Sequence, residues 1–273
     1  MPSSIAYSRV GSGEPIVLIH GIGHRREAWA SVPQLLAPHY DVIAIDLPGH
    51  GLSPVPSKPG SYTMTSYAEQ VEELIADLGL KRPHVAGNSL GGVLALELAA
   101  RGSVRSCAAF SPAGFWSKPE LALLGANLVL LKVSAHSPRA LVEKVCGNLT
   151  LRSLLMRSLY MHPENLSTQQ AVGDSINLRR SKGFWPCFGR GILLSYKQVP
   201  VVATTIAWGE HDRLLLPSQA RRAAVALPDA THVPLPDCGH VPMVDHPELV
   251  CEVIAAVTAR AEPVHEMVTD AVS

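Results

Sequence analysis

Short runs of β-branched and small apolar residues recur along the chain, each closed by glycine, aspartate, histidine or serine. They are Ile16 to Ile19, Val42 to Ile45, His84 to Ala86, Cys107 to Phe110, Val201 to Trp208 and Thr231 to Leu235. Between them the apolar positions change to helical spacing, which predicts helices near Thr65 to Leu78, Leu90 to Arg101, Pro217 to Ala226 and Pro247 to Arg260. Strands alternating with helices, each strand ending in a loop of small or polar residues, predict an α/β fold. Its expected form is a mostly parallel central sheet with helices on both faces.

Between Phe115 and Ser195 the strand pattern stops, and stretches such as LALLGANLVLLKV and SPRALVEKV read as helices. This predicts a helical insertion, 115–195, in a core made of 1–114 and 196–273. The insertion holds ten basic residues (Lys118, Lys132, Arg139, Lys144, Arg152, Arg157, Arg179, Arg180, Lys182, Arg190) against four acids (Glu120, Glu143, Glu164, Asp174), so it carries +6 and the remainder −6. No fixed-period repeat is present, and residues from about 261 onward read as a frayed tail.

Composition narrows the functional classes. The 273 residues are 47% hydrophobic and 17% charged, enough apolar surface to offset the entropy lost on folding. Lys+Arg and Asp+Glu are both 23, so the whole chain lacks the basic field a nucleic acid partner demands. The longest apolar run, Leu121 to Leu131, is far short of the roughly 20 residues that span a bilayer, so no transmembrane segment is expected. The opening MPSSIAYSRVGSG has no basic stretch followed by an apolar run, which predicts a cytoplasmic protein. Five scattered cysteines without CxxC spacing read as buried free thiols, and nothing in the sequence sets an oligomeric state.

Residues 87 to 91, Gly-Asn-Ser-Leu-Gly, fall between the strand at His84 and the helix at Leu90. A serine on so sharp a turn is held in a strained backbone conformation that lifts its hydroxyl from the sheet. Glycines two positions to either side keep strand and helix from colliding. The helix that follows aims its positive end and free N–H groups where charge develops on a substrate oxygen. A serine hydroxyl needs a base, and the base needs an orienting acid. Asp212 and His240 lie on successive strand-end loops, in GEHDRLLLP and DCGHVPMVDHP. The order Ser89, Asp212, His240 places nucleophile, acid and base beyond the carboxyl ends of parallel strands.

With these motifs the chain resembles the α/β-hydrolase fold family from about Tyr7 to Arg260. The resemblance rests on His20-Gly21 with Gly23, DLPGHG at 46–51, GNSLGG at 87–92, GEHDRLLLP at 209–217 and GHVPMVDHP at 239–247. It implies that Ser89 is the nucleophile, Asp212 the acid and His240 the base, and that the backbone N–H groups of Ile22 and Leu90 form an oxyanion hole. It also implies a helical cap at 115–195 over the site. The expected reaction is hydrolysis of a small or medium, partly hydrophobic carboxylic ester through an acyl-enzyme. No metal or organic cofactor is implied.

Rival assignments are weaker. His20 and His24 could suggest a metal pair, but the glycines between them disfavour a helix and no HExxH follows. Asp46 and His50 in DLPGHG are explained by a tight turn. Glu210, Asp237 and Asp245 compete with Asp212, which alone occupies the family's loop position, and His211 and His246 read as solvated neighbours. The asparagine before Ser89 also resembles carbon–carbon bond hydrolases of ring-cleavage products, in which Arg179, Arg180 or Arg190 would bind a carboxylate. Val241 replaces the aromatic residue usual after their histidine. A ligand receptor on a hydrolase scaffold is a third reading, which a complete triad disfavours. The apolar insertion predicts a lined pocket, with Phe115, Trp116, Phe184, Trp185, Arg190 and Val241 as candidate contacts.

Overall fold

The computed structural model describes residues 3–56, 60–191 and 194–261. The predicted frayed tail lies outside the described residues apart from Ala261. Among the described residues seven strands form one sheet: β1 (Tyr7–Val10), β2 (Glu14–Ile19), β3 (Tyr40–Ile45), β4 (His84–Asn88), β5 (Ser106–Phe110), β6 (Ala203–Gly209) and β7 (Thr231–Leu235). Their order is β1-β3-β2-β4-β5-β6-β7, and only the β1–β3 pair is antiparallel. Six strands agree with the sequence reading to within two residues. The seventh, β1, is an addition: its four residues are exposed, so it carries no burial pattern. A forked pair from Arg9 to Asp41, at 2.8 and 2.6 Å, ties this edge strand to β3.

The helices follow in chain order. Before the insertion come α1 (Val32–Leu36), α2 (Met64–Asp77) and α3 (Leu90–Ala100). The insertion holds α4 (Lys118–Ser134), α5 (Arg139–Gly147), α6 (Leu149–Met156), α7 (Thr168–Arg180) and α8 (Phe184–Gly191). After it come α9 (Pro217–Ala226), α10 (Pro242–Asp245) and α11 (Pro247–Thr258).

Alternate strand residues feed two cores. Val17, Ile19, Ile43 and Ile45 pack with α2 and α3, whereas Ile16, Leu18, Val42 and Ala44 pack with α1 and α11. Each fully buried isoleucine contributes about 2 kcal/mol through removal of apolar surface from water. Helix α3 is apolar nearly all round because it runs beneath the centre of the sheet, with only Glu97 and Ala100 partly exposed.

Two polar contacts attach the insertion to the core, Glu120 to α9 and Asp245 to the α6–α7 connection, and a third, from Lys132, joins α4 to the end of α7 within it. The Glu120 carboxylate accepts hydrogen bonds from the Ser117 N–H at 2.7 Å and from Arg222 and Ser218 of α9, while Arg222 Nε donates to the Phe115 carbonyl at 2.6 Å. Lys132 is 2% exposed; its ammonium donates to the carbonyls of Leu178, Arg179 and Ser181 at 2.5, 3.3 and 3.0 Å and lies over the Phe184 ring. It thereby satisfies orphan carbonyls at the C-terminal end of α7. Asp245 accepts the N–H groups of Met161, His162 and Gly239 at 3.1, 2.8 and 2.7 Å, which binds the α6–α7 connection to the loop after β7. Among the described residues no single helix is long and apolar enough to cross a membrane; α4 and α5 would suffice together but are bent by 115°.

Burial alone would raise the Glu120 carboxyl, but hydrogen bonds from Arg222, Ser117 and Ser218 outweigh it and hold the group at about 2, below its ordinary 4.5. A depressed carboxyl stabilises the fold above its unfolded pKa and loses that contribution as pH falls through the folded one. The stabilisation from this contact should therefore be complete above pH 4.5 and decline toward pH 2. Urea unfolding across that interval should show a steeper acid loss in wild type than in Glu120→Gln.

Candidate active site

The chain leaves β2, runs outward to β3, then returns to β4, so a crevice opens between the carboxyl ends of β2 and β4. Ser89 stands there, between β4 and α3, with φ 58° and ψ −114°. A non-glycine residue with that backbone is a rare and strained case. Its N–H donates to the Phe110 carbonyl at 2.9 Å, and its carbonyl accepts the N–H groups of Val93 and Ala113 at 3.1 and 3.2 Å. The flanking glycines are sterically required. A Cβ on Gly87 would lie 2.0 Å from the Gly91 carbonyl oxygen, and one on Gly91 would lie 2.2 Å from that of Ile19. The turn brings strand and helix backbones too close for any side chain.

Asp212 and His240 meet in the folded chain. His240 Nδ1 donates to Asp212 Oδ2 at 2.8 Å, and both side chains are buried. The other carboxylate oxygen accepts the N–H groups of Leu214 and Leu215 at 2.9 and 2.8 Å, so the acid is fixed from two sides. With Nδ1 engaged, Nε2 is the nitrogen left for proton exchange. Asn88 Nδ2 donates to the His240 carbonyl at 2.9 Å, linking the residue before Ser89 to the histidine backbone. Among the described residues Ser89 Oγ and His240 make no direct hydrogen bond, yet both line one cavity.

That cavity encloses about 580 Å³ and runs from Ser89, His240 and the Gly21–His24 loop to α4, α5, α6 and α7. A second, smaller pocket of about 60 Å³ adjoins it, sharing Ile22, Ser89, Leu128 and Leu214. Leu90, Trp116, Leu121 and Leu124 help to close the small pocket, which His240 does not line. Ile22 and Leu90 thus line the small pocket together with Ser89. Leu90 opens α3, so its N–H has no acceptor within the helix.

The predicted pocket contacts divide. Phe184 and Val241 line the large cavity and Trp116 the small one. Phe115 does not: it is buried against Tyr196 in the core below, because the chain has not yet left the β5 loop. Trp185 and Arg190 are exposed on α8 and line neither cavity, since Phe184 and Cys187 take the inward side of that helix. The carboxylate-binding candidates Arg179 and Arg180 are likewise exposed and outside the lining.

Rival residues have other partners. His20 Nε2 accepts the Leu47 N–H at 2.9 Å while Nδ1 donates to the Gly21 carbonyl at 2.7 Å, joining the loops after β2 and β3. Burial and the neighbouring His50 keep His20 neutral, well below the usual histidine range. Asp46 accepts the N–H groups of Arg26 and Leu52 and pairs with the Arg26 guanidinium at 2.7 Å. Asp237 pairs with His162 at the surface, and Glu210, His211 and His246 are exposed. The five cysteines are free thiols, four of them buried. No group of three or more His, Cys, Asp or Glu side chains suited to a metal occurs among the described residues.

The sequence reading missed part of the cavity wall. His24, Asp174 and Arg157 all line it. Burial lowers the His24 imidazole and raises the Asp174 carboxyl, although Arg25 hydrogen-bonds Asp174 at 3.2 Å. His24 had a legible signal, its place on the loop after β2. Asp174 and Arg157 had none, because helix packing within the insertion decides which faces turn inward.

The model of the alpha/beta hydrolase family matches residues 16–253, and the chain belongs to that family. An uncharacterized Mycobacterium bovis protein is 40% identical over 94 residues, 34% of this chain, and the match spans only 27% of that protein's length. Lipase 1 of Psychrobacter immobilis is 29% identical over 239 residues, 80% of this chain and 68% of the lipase. A crystal structure described as a membrane phospholipase A, a bacterial virulence factor, superposes with a TM-score of 0.75 at 27% identity, covering 93% of this chain and 82% of that one. The fold is therefore the expected α/β-hydrolase fold, and the family supports hydrolase activity.

The turn supplies its own test. Replacing Gly87 by alanine forces its Cβ into the Gly91 backbone, so Gly87→Ala should cost about 3 kcal/mol or more of stability. Gly60→Ala meets nothing within 4 Å and serves as a positive-φ control, expected near 1 kcal/mol, with both read from urea midpoints.

Proposed function

We propose that the protein is a serine hydrolase that cleaves carboxylic esters through an acyl-enzyme on Ser89. The observation that carries this reading is the buried Asp212–His240 pair opening into the same cavity as a serine on a strained turn. His240 takes the hydroxyl proton as Ser89 attacks the ester carbonyl, and Asp212 holds the imidazole tautomer and stabilises the imidazolium. The hydroxyl–imidazole contact tightens when substrate fills the cavity, as catalytic hydrogen bonds do on passing from the free enzyme to the Michaelis complex. The N–H groups of Ile22 and Leu90, with the positive end of α3, meet the developing oxyanion. His240 then returns the proton to the leaving alcohol, and water releases the acid. In this reading α4 to α8 act as a cap over the site.

In this reading the two pockets take the two halves of the ester. The leaving oxygen must be near His240 to receive its proton, so the alcohol portion occupies the large cavity that His240 lines. The acyl portion then points to the small apolar pocket beside Ile22 and Leu90. The enzyme accordingly takes short acyl groups on bulky apolar alcohols. The carbon–carbon hydrolase alternative gains no support, because none of its arginine candidates reaches the cavity.

A fluorophosphonate probe should label wild type at Ser89 and leave Ser89→Ala unlabelled, folded and inactive; an unlabelled wild type would overturn the serine mechanism. Asp212→Asn should retain the fold and lower kcat by about 10⁴-fold, the loss expected when the imidazole tautomer is no longer fixed. Of two isomeric alkyl esters with similar intrinsic reactivity, naphthylmethyl acetate should exceed methyl naphthylacetate in kcat/KM by roughly tenfold or more, a difference typical of pocket-size discrimination. The reverse preference would overturn the pocket assignment while leaving the hydrolase reading intact.

A further inference from the structure

The insertion carries an unusual outer surface. Leu130, Val133, Leu141, Leu151 and Leu154 are exposed on α4, α5 and α6, with Leu130 and Leu154 at 62% and 65%. Single exposed leucines need no explanation, but several on adjoining helices form a patch of the kind that marks an interaction site. Four of the five also line the large cavity, so the patch is the rim of its mouth, and Arg157 stands in the same rim.

Charge lies on this surface too. Within the insertion the four charged side chains that are not exposed, Lys132, Arg152, Glu120 and Asp174, cancel. The exposed ones include only two acids, Glu143 and Glu164, so the whole +6 excess faces solvent. On and directly after α4–α6, Lys118, Arg139, Lys144 and Arg157 stand against Glu143, so this face carries +3, half of the excess, and repels a second copy of itself across a two-fold contact. Its apolar members are aliphatic, whereas protein interface cores are enriched in aromatic residues. Exposed leucines amid basic residues match a membrane interface, where apolar side chains enter the acyl boundary and Lys and Arg meet anionic headgroups.

We propose that the outer face of α4–α6 docks on an anionic lipid surface, presenting the cavity mouth to the hydrocarbon boundary. The chain would then draw apolar substrates from the lipid phase. Docking itself does not depend on the serine chemistry and is tested apart from it.

The experiment is flotation of the full chain with extruded vesicles, either phosphatidylglycerol mixed with phosphatidylcholine or phosphatidylcholine alone. Wild type should bind the anionic vesicles roughly tenfold or more tightly than the neutral ones, and the difference should shrink as salt rises. Leu130→Ser with Leu154→Ser should lower anionic binding by at least roughly tenfold, because two leucines no longer enter the acyl region. Both positions are exposed, so the double variant should keep the wild-type circular dichroism, and Val225→Ser on α9, 84% exposed, should leave binding unchanged. No binding to anionic vesicles, or equal binding by wild type and the double variant, would overturn the proposal. So would a dimer in light scattering that the double variant dissociates without any change in vesicle binding.

Discussion

Backbone crowding around one turn governs the arrangement of the site. The passage from β4 to α3 sets Gly87 against Gly91 and Gly91 against the end of β2, with no space for a Cβ at either position. Close approach forces Ser89 into its positive-φ conformation and holds it there through three backbone hydrogen bonds. The strain persists because the surrounding sheet and helix over-determine it. Everything proposed for the hydroxyl follows from this compression, since a relaxed turn would lay the serine back along the sheet.

How much of this was legible depended on what kind of interaction encodes each part. The parallel strands announce themselves because both faces are buried and their loops carry small and polar residues. The turn at Ser89 is legible because steric exclusion leaves glycine as the only solution two residues to either side. Asp212 and His240 were found from loop position and order, and the folded chain brings them together at 2.8 Å. Strand β1 was not found: four exposed residues at a sheet edge leave no apolar signature. Inside the insertion, composition indicated helices but not their orientation. Phe115, Trp185 and Arg190 were expected at the pocket and are absent from it, while His24, Asp174 and Arg157 are present. Which side of a short helix faces inward is settled by contacts with its neighbours, such as Lys132 with the end of α7, and these leave little trace in local sequence.

Core and insertion are joined by different physics. The core relies on apolar layers on both sides of the sheet. The insertion is also attached by hydrogen-bonded carboxylates, Glu120 to α9 and Asp245 to the α6–α7 connection, and by Asn177, whose side chain donates to the Gly23 carbonyl at 2.9 Å. Such contacts have definite geometry, so they fix how the helices stand over the strand ends. Burial by itself would tolerate sliding.

Asn88 donates one amide group to both the His240 and Phe110 carbonyls, at 2.9 and 3.2 Å. His240, 152 positions along the chain from Asn88, is thereby gauged against a single rigid side chain adjoining Ser89. A drift in the β7 loop cannot carry the imidazole away on its own, because it must drag or break that amide. Alignment of the two reacting partners is in this sense a property of one short side chain, and tolerance for error at position 88 is correspondingly narrow.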